Sequence, residues 1–511
     1  MGFTNLVTYS DVPAWAKGSI FYQIFIDRFH KSPSHRKNLV PGRNYRDWGE
    51  EVELHRNIHG YFHNNDFFCG DIEGITEKIP YLKKLGVQVI YLSPITYSNY
   101  RYDRYAATNH MLIDPDAGSY LDLRRLHSAA SKNNIHIILD IALNHCCTNN
   151  PIYKDAFTNE NSEFKDWFKR DSHGNISYWY GFDDMPEFNQ FNEGYQNFVY
   201  GDGGVIEKLS KYCDGFRLDL AECLEPFVIE GIKRKANEKF PHLIVGEYWK
   251  NADKSVIGYG LDSVTCYPLS NAILKFLAFG ECDYLESQMK ELCNVYPQSN
   301  LDALLVSLDT HDIPRAITML GKSDCMRRGY TDIWNIDSYP SKWHTNGMFN
   351  TDEFRRFEHD NDILSKEEYN RGVNLLKIGT VLQYFYLGSP CIYYGTEAGL
   401  TGFKDPFNRK CYPWGHEDKK LLSFYMSIGQ FRHNFNSIKA NPNVLFKDSD
   451  LFIFERKNNK NSVFVAVNRS NNNERKIQIP KEYEGCKSFC FNTKGLCSLL
   501  PYGAIVVLKQ N

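Results

Sequence analysis

The run IHIILDIALNH at residues 135–145 shows the pattern that decides the fold. It begins with a continuous apolar stretch, typical of a strand buried on both faces of a parallel sheet, and it ends in polar residues. Seven similar short runs occur along the chain, and helical patterns separate them. These runs are SIFYQIF (19–25), VQVIYLSP (87–94), GFRLDL (215–220), LIVGEYW (243–249), SVTCYP (263–268), ALLVSLDTHD (303–312) and PCIYYG (390–395).

This eightfold alternation of strand and helix predicts an α/β fold, a (β/α)8 TIM barrel. Two connections are too long for simple turns. We expect residues 146–195, after the third strand, to form a small inserted domain. We expect 322–368, after the seventh strand, to form an extra aromatic insertion that acts as a lid or binding wall. The β-rich runs near the end predict a C-terminal antiparallel β-sandwich at 436–511, which leaves 1–435 as the catalytic barrel.

Composition and charge narrow the classes of function. The 511 residues carry a formal net charge of −3, so the sequence predicts no nucleic-acid partner. No apolar run reaches the length of a membrane span, and the first residues lack the pattern of a signal peptide. The 14 cysteines include no CxxC pair, which fits reduced thiols in the cytoplasm. We therefore expect a cytoplasmic protein without a membrane partner; its oligomeric state stays open.

Ionisable side chains follow several of the predicted strands at their C-terminal ends, where the active site of a barrel lies. They are Asp140 and His145 on the third strand, Arg217 and Asp219 on the fourth, Glu247 on the fifth, and His311 and Asp312 on the seventh. A single charge at a strand end is usually a solvated loop residue. A whole set delivered to one rim is better explained by chemistry.

The set contains the two carboxyl groups that cleavage of a glycosidic bond requires. Arg217 and Asp219 are two residues apart on one strand, so their side chains point the same way. The guanidinium favours an ionised Asp219, which suits a nucleophile. Glu247 has no neighbouring cation in the sequence and lies among carboxylates, which suits a proton donor. In a retaining enzyme the two groups are about 5–5.5 Å apart.

The remaining members of the set suit sugar binding. Asp312 is a third carboxylate that can accept hydrogen bonds from sugar hydroxyls. His145 and His311 can donate to hydroxyls beside the bond to be cleaved. Aromatic residues form 15% of the chain, and flat rings pack well on the C–H faces of pyranoses. An excess of aromatic residues is equally consistent with a large core.

The motifs DIALNH, GFRLDLAE, GEYW and SLDTHD resemble the four signatures of the α-amylase family, glycoside hydrolase family 13, and they stand in the family's order. The segment GSPCIYYGTEAGLTGFKDPFNRKCYPW (388–414) is similar to that of the neopullulanase, cyclomaltodextrinase and maltogenic amylase group. That group carries an extra N-terminal β-domain, which the sequence before the barrel does not match. The resemblance implies a retaining mechanism and an α-glucan oligosaccharide as substrate.

The resemblance also implies roles for further residues. Tyr102 would stack under the sugar that bears the bond to be cleaved, Asp405 and Arg409 would hold the next sugar toward the non-reducing end, Trp249 would line the acceptor side, and Asp140 and Asn144 would support the site. The group's calcium-binding loop corresponds to HKSPSHRKN (30–38), which lacks its Asp and Asn ligands. Because calcium needs several oxygen ligands, we expect neither calcium there nor another metal or cofactor.

Several interpretations remain open. One is hydrolysis of α-1,4 or α-1,6 bonds in maltooligosaccharides, cyclodextrins or pullulan fragments. Another is a transglycosylase or a phosphorylase-type enzyme that uses the same glycosyl-enzyme intermediate. A third is a non-catalytic glucan-binding protein. The segment Leu220-Ala221-Glu222-Cys223 departs from the Val-Ala-Asn-Glu of the group, so the sequence does not decide the preferred linkage.

Overall fold

The fold is described from a computed structural model. It describes residues 12–33, 40–52, 55–56, 62–63, 65–252, 260–322, 362–433 and 440–510. The proposed insertion at 322–368 lies almost entirely outside these residues.

Eight parallel strands form the central sheet, in the spatial order β6-β5-β4-β3-β2-β1-β8-β7. The strands are β1 Phe21–Ile24, β2 Val89–Leu92, β3 His136–Ile141, β4 Gly215–Leu218, β5 Leu243–Gly246, β6 Ser263–Val264, β7 Leu305–Ser307 and β8 Ser389–Tyr393. A parallel bridge between Thr265 and Leu305 joins the two ends of this order and closes the barrel. The predicted (β/α)8 barrel is therefore confirmed.

Nearly every strand residue of the barrel is buried, as the continuous apolar runs predicted. The register is regular: Gly215 of β4 pairs with Ile138 of β3 and with Leu243 of β5. A regular parallel register brings the C-terminal ends of the strands to one rim. The polar residues that follow the strands therefore meet there.

The helices surround the sheet, and their ends carry identifiable signals. A capping box between Ser119 and Asp122 begins one long helix, and a second between Ser365 and Glu368 begins another. The helices are α1 Ile26–Phe29, α2 Ile72–Glu77, α3 Ile79–Lys84, α4 Tyr120–Lys132, α5 Pro151–Thr158, α6 Glu193–Tyr200, α7 Val205–Leu209, α8 Pro226–Ala236, α9 Tyr267–Phe279, α10 Cys282–Val295, α11 Gln298–Leu301, α12 Ala316–Gly321, α13 Lys366–Phe385 and α14 Lys419–His433.

The segment 146–195 contains little regular structure beyond α5 and the start of α6. Isolated antiparallel bridges hold it together, including Tyr178 with Pro186 and Phe168 with Phe188. Another bridge, between His145 and Glu187, ties it to the residues that follow β3. The segment therefore lies beside the rim on which the candidate catalytic residues meet.

The C-terminal residues form an antiparallel sheet. Its strands are β9 Asn443–Lys447, β10 Leu451–Lys457, β11 Asn461–Asn468, β12 Arg475–Lys476, β13 Lys487–Thr493 and β14 Ser498–Gln510, joined in one hydrogen-bonded network around β14. One face packs on the barrel helices, where the ring of Tyr386 lies 4.8 Å from that of Phe454 and the ring of Phe276 lies 5.6 Å from that of Phe452. Within the described part of the chain, no helix has the length and apolar character needed to cross a membrane.

Candidate active site

Arg217 lies at the centre of the rim and contacts three carboxyl groups. Its Nη1 lies 2.8 Å from Oδ1 of Asp219 and 2.9 Å from Oδ1 of Asp140, and its Nη2 lies 2.9 Å from Oε1 of Glu247. Arg217 and Asp140 are almost fully buried, and Asp219 and Glu247 are only slightly exposed. The structure thus brings together the two carboxylates predicted to carry the reaction. It also shows that Glu247, which has no cation beside it in the sequence, shares the guanidinium of Arg217.

The second oxygen of Glu247 is held by the backbone. The amide of Leu220 donates to Oε2 of Glu247 over 2.8 Å. Leu220 reaches this position with a φ of 47° and a ψ of 44°, in the left-handed region that branched L-residues rarely adopt. Such strain clusters at functional sites. Here it turns the amide that follows Asp219 toward the neighbouring carboxyl group.

Asp312 and His311 close the other side of the carboxylate cluster. Oδ2 of Asp312 lies 3.4 Å from Nε2 of His311 and 3.5 Å from the hydroxyl of Tyr267. The ring of Tyr267 stacks on Trp249 with a centroid distance of 4.1 Å and an angle of 4°. Trp249 is therefore linked to the cluster through Tyr267.

Tyr102, Asp405 and Arg409 form a second group on the rim, as the family resemblance implies. The Tyr102 hydroxyl donates to Oδ1 of Asp405 over 2.8 Å and accepts from Nη1 of Arg409 over 3.1 Å. Nη2 of Arg409 lies 4.0 Å from Oδ1 of Asp312. This group is thus continuous with the carboxylate cluster through Asp312.

His145 and Asn144 face the inserted segment. The ring of His145 lies nearly parallel to that of Trp179, with centroids 5.6 Å apart. Both ring nitrogens of His145 are buried, and neither makes a hydrogen bond that meets normal geometry within the described residues. The side chain of Asn144 accepts from Gln190 over 3.3 Å and donates to Glu187 over 3.5 Å. Asn144 therefore links the residues that follow β3 to the inserted segment.

The pKa values of Asp219 and Asp312 are raised in the site. Burial raises the pKa of Asp219 well above its ordinary value, the negative charge of Glu247 raises it further, and Arg217 opposes both effects. Burial and the charge of Glu247 raise the pKa of Asp312 to about 7, against the effect of Arg409 and Arg217. The sequence predicts that Arg217 favours an ionised Asp219; Arg217 does lower the pKa of this carboxyl, but burial and the charge of Glu247 outweigh that effect.

The two histidines are neutral for the same reason. Burial lowers the pKa of His145 to about 3, and the charge of Arg101 contributes to this shift. Burial also lowers the pKa of His311 well below its ordinary value, with further contributions from Arg409 and Arg217. Both rings can therefore act as neutral hydrogen-bonding groups toward a ligand.

Sequence reasoning missed several aromatic and polar side chains of the site. The hydroxyls of Tyr91 and Tyr105 donate to Oδ2 of Asp140 over 2.8 and 2.7 Å, and Gln23 contacts Nδ1 of His311 over 2.9 Å. Gln23 and Tyr91 stand within apolar strand runs, where a polar residue in a buried strand is itself a signal. Tyr105 lies in a loop, and no pattern in the sequence places it.

The described residues contain no group of three or more His, Cys, Asp and Glu side chains placed to hold a metal ion. The loop 30–38, whose composition predicted no calcium site, is only partly described.

The barrel is closed, and its C-terminal rim carries buried carboxyl groups around one arginine. These features place the protein in the class of barrels with a glycosidase-like site. Residues 23–337 match the family described as the catalytic domain of α-amylase, and the chain belongs to this family. An amylopullulanase from Thermoanaerobacter thermohydrosulfuricus is 30% identical over 504 residues, which cover 88% of this chain and 32% of that protein. This chain thus spans about a third of the length of that relative.

Other relatives match more of their own length. A maltogenic α-amylase from Bacillus acidopullulyticus is 26% identical over 532 residues, covering 100% of this chain and 79% of that protein. Among solved structures, a cyclic α-maltosyl-(1→6)-maltose hydrolase from Arthrobacter globiformis has a TM-score of 0.75 at 21% identity, covering 98% of this chain and 100% of that one. At this identity the structural likeness supports the fold alone.

Proposed function

We propose that this chain is a retaining α-glucoside hydrolase that acts on α-glucan oligosaccharides through a covalent glycosyl-enzyme intermediate. The observation that carries the proposal is the position of Asp219 and Glu247 on the two ends of one guanidinium, that of Arg217. Retaining enzymes need two carboxyl groups close enough to act on one anomeric carbon. Membership of the α-amylase family and the names of the relatives support an α-linked glucan as the substrate.

In the proposed reaction, Asp219 attacks the anomeric carbon while Glu247 gives its proton to the leaving glycosidic oxygen. Glu247 then removes a proton from water, whose oxygen attacks the same carbon and releases Asp219. One proton moves in each half of the reaction, so Asp219 and Glu247 together need to hold one proton. The opposing effects of burial and Arg217 on the pKa of Asp219 are compatible with such a shared proton.

Each oxygen of Glu247 faces a donor. Its Oε1 forms an ion pair with Nη2 of Arg217, and its Oε2 accepts a hydrogen bond from the Leu220 amide. The oxygen that takes up the proton becomes a donor, so it no longer matches the donor that it faces. We therefore expect one Glu247 oxygen to leave its donor and turn toward the leaving oxygen when the proton is carried.

We propose the roles of the remaining side chains from their residue types and from the resemblance to the α-amylase family. Asp312, His311 and His145 bind hydroxyls of the sugar whose bond is cleaved, and Tyr102 packs under its ring. Asp405 and Arg409 hold the next sugar toward the non-reducing end. Trp249 lines the acceptor side beyond Glu247. We also propose that residues 1–435 form the catalytic unit, with 146–195 as its inserted domain, and that 436–511 form a separate C-terminal unit.

The test is product analysis on a panel of maltose, maltotriose, pullulan, cyclodextrin and isomaltose. Proton NMR of the first product should show the α-anomer, because a double displacement retains configuration. An initial β-anomer would contradict the retaining mechanism. Excess maltose or inorganic phosphate as a co-substrate separates hydrolysis from transglycosylation and from phosphorolysis. The absence of turnover on every α-glucan would contradict the proposal.

A further inference from the structure

Tyr105 contacts both Asp140 and His311, which follow two different strands of the barrel. Its hydroxyl oxygen lies 2.6 Å from Nε2 of His311 and 2.7 Å from Oδ2 of Asp140. Its ring is parallel to the imidazole of His311, at an angle of 0° and a centroid distance of 5.2 Å. The hydroxyl is therefore held at hydrogen-bonding distance from a carboxylate and from a histidine at once.

The number of protons on these groups determines the direction of each hydrogen bond. Nη1 of Arg217 lies 2.9 and 3.0 Å from the two oxygens of Asp140, and the hydroxyl of Tyr91 donates to Oδ2 over 2.8 Å. Burial raises the pKa of Asp140, whereas Arg217 and the hydroxyls of Tyr105 and Tyr91 oppose this effect; in the ionised form that these contacts favour, the carboxylate only accepts hydrogen bonds. The single proton of the Tyr105 hydroxyl must then point to Asp140. The contact with His311 forms only if Nε2 of the imidazole carries a proton and donates it.

The opposite side of the ring agrees with this tautomer. The side-chain amide of Gln23 on β1 lies 2.9 Å from Nδ1 of His311. The ring is neutral, because burial, Arg409 and Arg217 all lower the pKa of His311. A neutral ring with a proton on Nε2 has a lone pair on Nδ1, which accepts from the amide nitrogen of Gln23. The carboxylate oxygen of Asp312, 3.4 Å from Nε2, also favours a proton on that nitrogen.

We propose that Tyr105 is a positioning residue that fixes the proton of His311 on Nε2 and joins this histidine, through Asp140, to the arginine that holds both catalytic carboxylates. With its Nε2 proton donated to the Tyr105 hydroxyl and its Nδ1 accepting from Gln23, the imidazole is held in one orientation beside Asp312. The tautomer depends only on the contacts described above. Its value for catalysis rests on the proposed hydrolase function.

The chain offers a matched pair of variants. Tyr105→Phe keeps a ring to stack on His311 and removes the hydroxyl. Tyr91→Phe removes one hydrogen bond to the same oxygen of Asp140 and leaves His311 untouched. A purely structural effect of losing a buried hydroxyl would appear in both variants, whereas an effect on the tautomer would appear in Tyr105→Phe alone.

The measurement is the ¹⁵N NMR spectrum of the full-length protein labelled at its histidines, in which protonated and unprotonated ring nitrogens have different chemical shifts. Loss of the signals in His311→Gln assigns them. We expect Nε2–H in the wild type and in Tyr91→Phe, and a mixture that includes Nδ1–H in Tyr105→Phe. We also expect kcat of Tyr105→Phe to fall by about tenfold, as is typical when a partner that orients a histidine is lost.

A second variant keeps the proposal testable if Tyr105→Phe does not fold. Gln23→Glu places an acceptor against Nδ1, and we expect it to draw the proton to that nitrogen. Nδ1–H in the wild type, or a Tyr105→Phe spectrum identical to that of Tyr91→Phe, would overturn the proposal. A wild type that cleaves no α-glucan would contradict the proposed function, but the NMR result would still stand.

Discussion

Nη2 of Arg217 lies 2.9 Å from Oε1 of Glu247, at the opposite end of the guanidinium from the nitrogen that contacts Asp219. One cation therefore sets the positions of both groups proposed to act on the anomeric carbon. The planar guanidinium presents several donors in fixed directions, which a lysine ammonium cannot reproduce. The geometry of the reaction then depends on one side chain of β4.

Replacing this arginine by lysine should disable the site without unfolding the barrel. Arg217→Lys keeps a positive charge but cannot contact Asp140, Asp219 and Glu247 together. We expect kcat to fall by about 100-fold or more, measured with maltotriose. The control is Arg456→Lys, which shortens another buried guanidinium, in the C-terminal sheet, and should leave kcat within about twofold. Equal losses in the two variants would mean that the effect is general destabilisation.

The roles of the two carboxyl groups can be separated with the leaving group. Glu247→Gln cannot protonate a glycosidic oxygen, so it should lose maltotriose hydrolysis by about 100-fold or more. An α-glucosyl fluoride needs no such proton, and its first half-reaction should largely recover in this variant. Asp219→Asn lacks the nucleophile and should stay inactive with both substrates. Recovery in Asp219→Asn instead of Glu247→Gln would reverse the assignment.

Asp312→Asn should stabilise the folded protein above neutral pH. Burial and Glu247 raise the pKa of Asp312 to about 7 in the folded state, whereas the unfolded chain releases this proton near pH 4. The folded state binds more protons in this window, so the wild type loses stability between about pH 4 and pH 7. The variant has no such proton. We expect it to be more stable at pH 8 by roughly 1–3 kcal/mol, and little changed at pH 4.

The measurement for Asp312→Asn is thermal unfolding at pH 4 and at pH 8. The control is Asp202→Asn, because the Asp202 side chain is 99% exposed and its replacement should not give a gain that grows with pH. A lower melting temperature of Asp312→Asn at pH 8 would contradict the prediction, since it would mean that Asp312 stabilises the fold in its ionised form.

The barrel was predictable because its strands are buried on both faces, which leaves continuous apolar runs in the sequence. The rim residues of β3, β4, β5 and β7 were predictable because they follow those runs directly. The contacts of Tyr105 were not predictable, since a loop residue reaches His311, 206 positions along the chain, only through the tertiary fold. The same applies to Trp179, whose stacking on His145 depends on how the inserted segment folds back.

The sequence also misled at one point, and the reason is physical. Arg217 and Asp219 are close together in the sequence, which suggested that Arg217 interacts with Asp219. Glu247 has no cation beside it in the sequence. Neighbouring strands of a parallel barrel place side chains of equal height beside one another, and Val245 pairs with Arg217. Glu247, two positions further along the chain and just past the end of β5, is thus within reach of the same guanidinium. The separation in sequence between Arg217 and Glu247 gave no indication that their side chains are 2.9 Å apart in the fold.

The exposed aromatic residues of the inserted segment lead to the last prediction. Tyr180 is 44% exposed, has a φ of 47°, and its ring lies 5.1 Å from that of Trp179 in an edge-on arrangement. Burial raises the pKa of Tyr180, and electrostatic interaction with the side chains of Cys223 and Glu222 raises it further. These two residues follow the proposed nucleophile on the β4 loop. The hydroxyl of Tyr180 is therefore close enough to this loop to interact electrostatically with its side chains.

We expect Tyr180→Ala to weaken binding of long substrates selectively, because a flat ring at this position can pack on the face of a distant sugar unit. KM should rise by about tenfold for maltohexaose and stay nearly unchanged for a nitrophenyl α-glucoside, while Tyr180→Phe keeps the wild-type values. Phe157→Ala is the control, because Phe157 is 65% exposed in the same segment and stacks only on Tyr153 among the ring contacts of the described residues. An equal rise of KM for both substrates would show that Tyr180 shapes the site where the bond is cleaved. An unchanged KM for both would show that it binds no sugar.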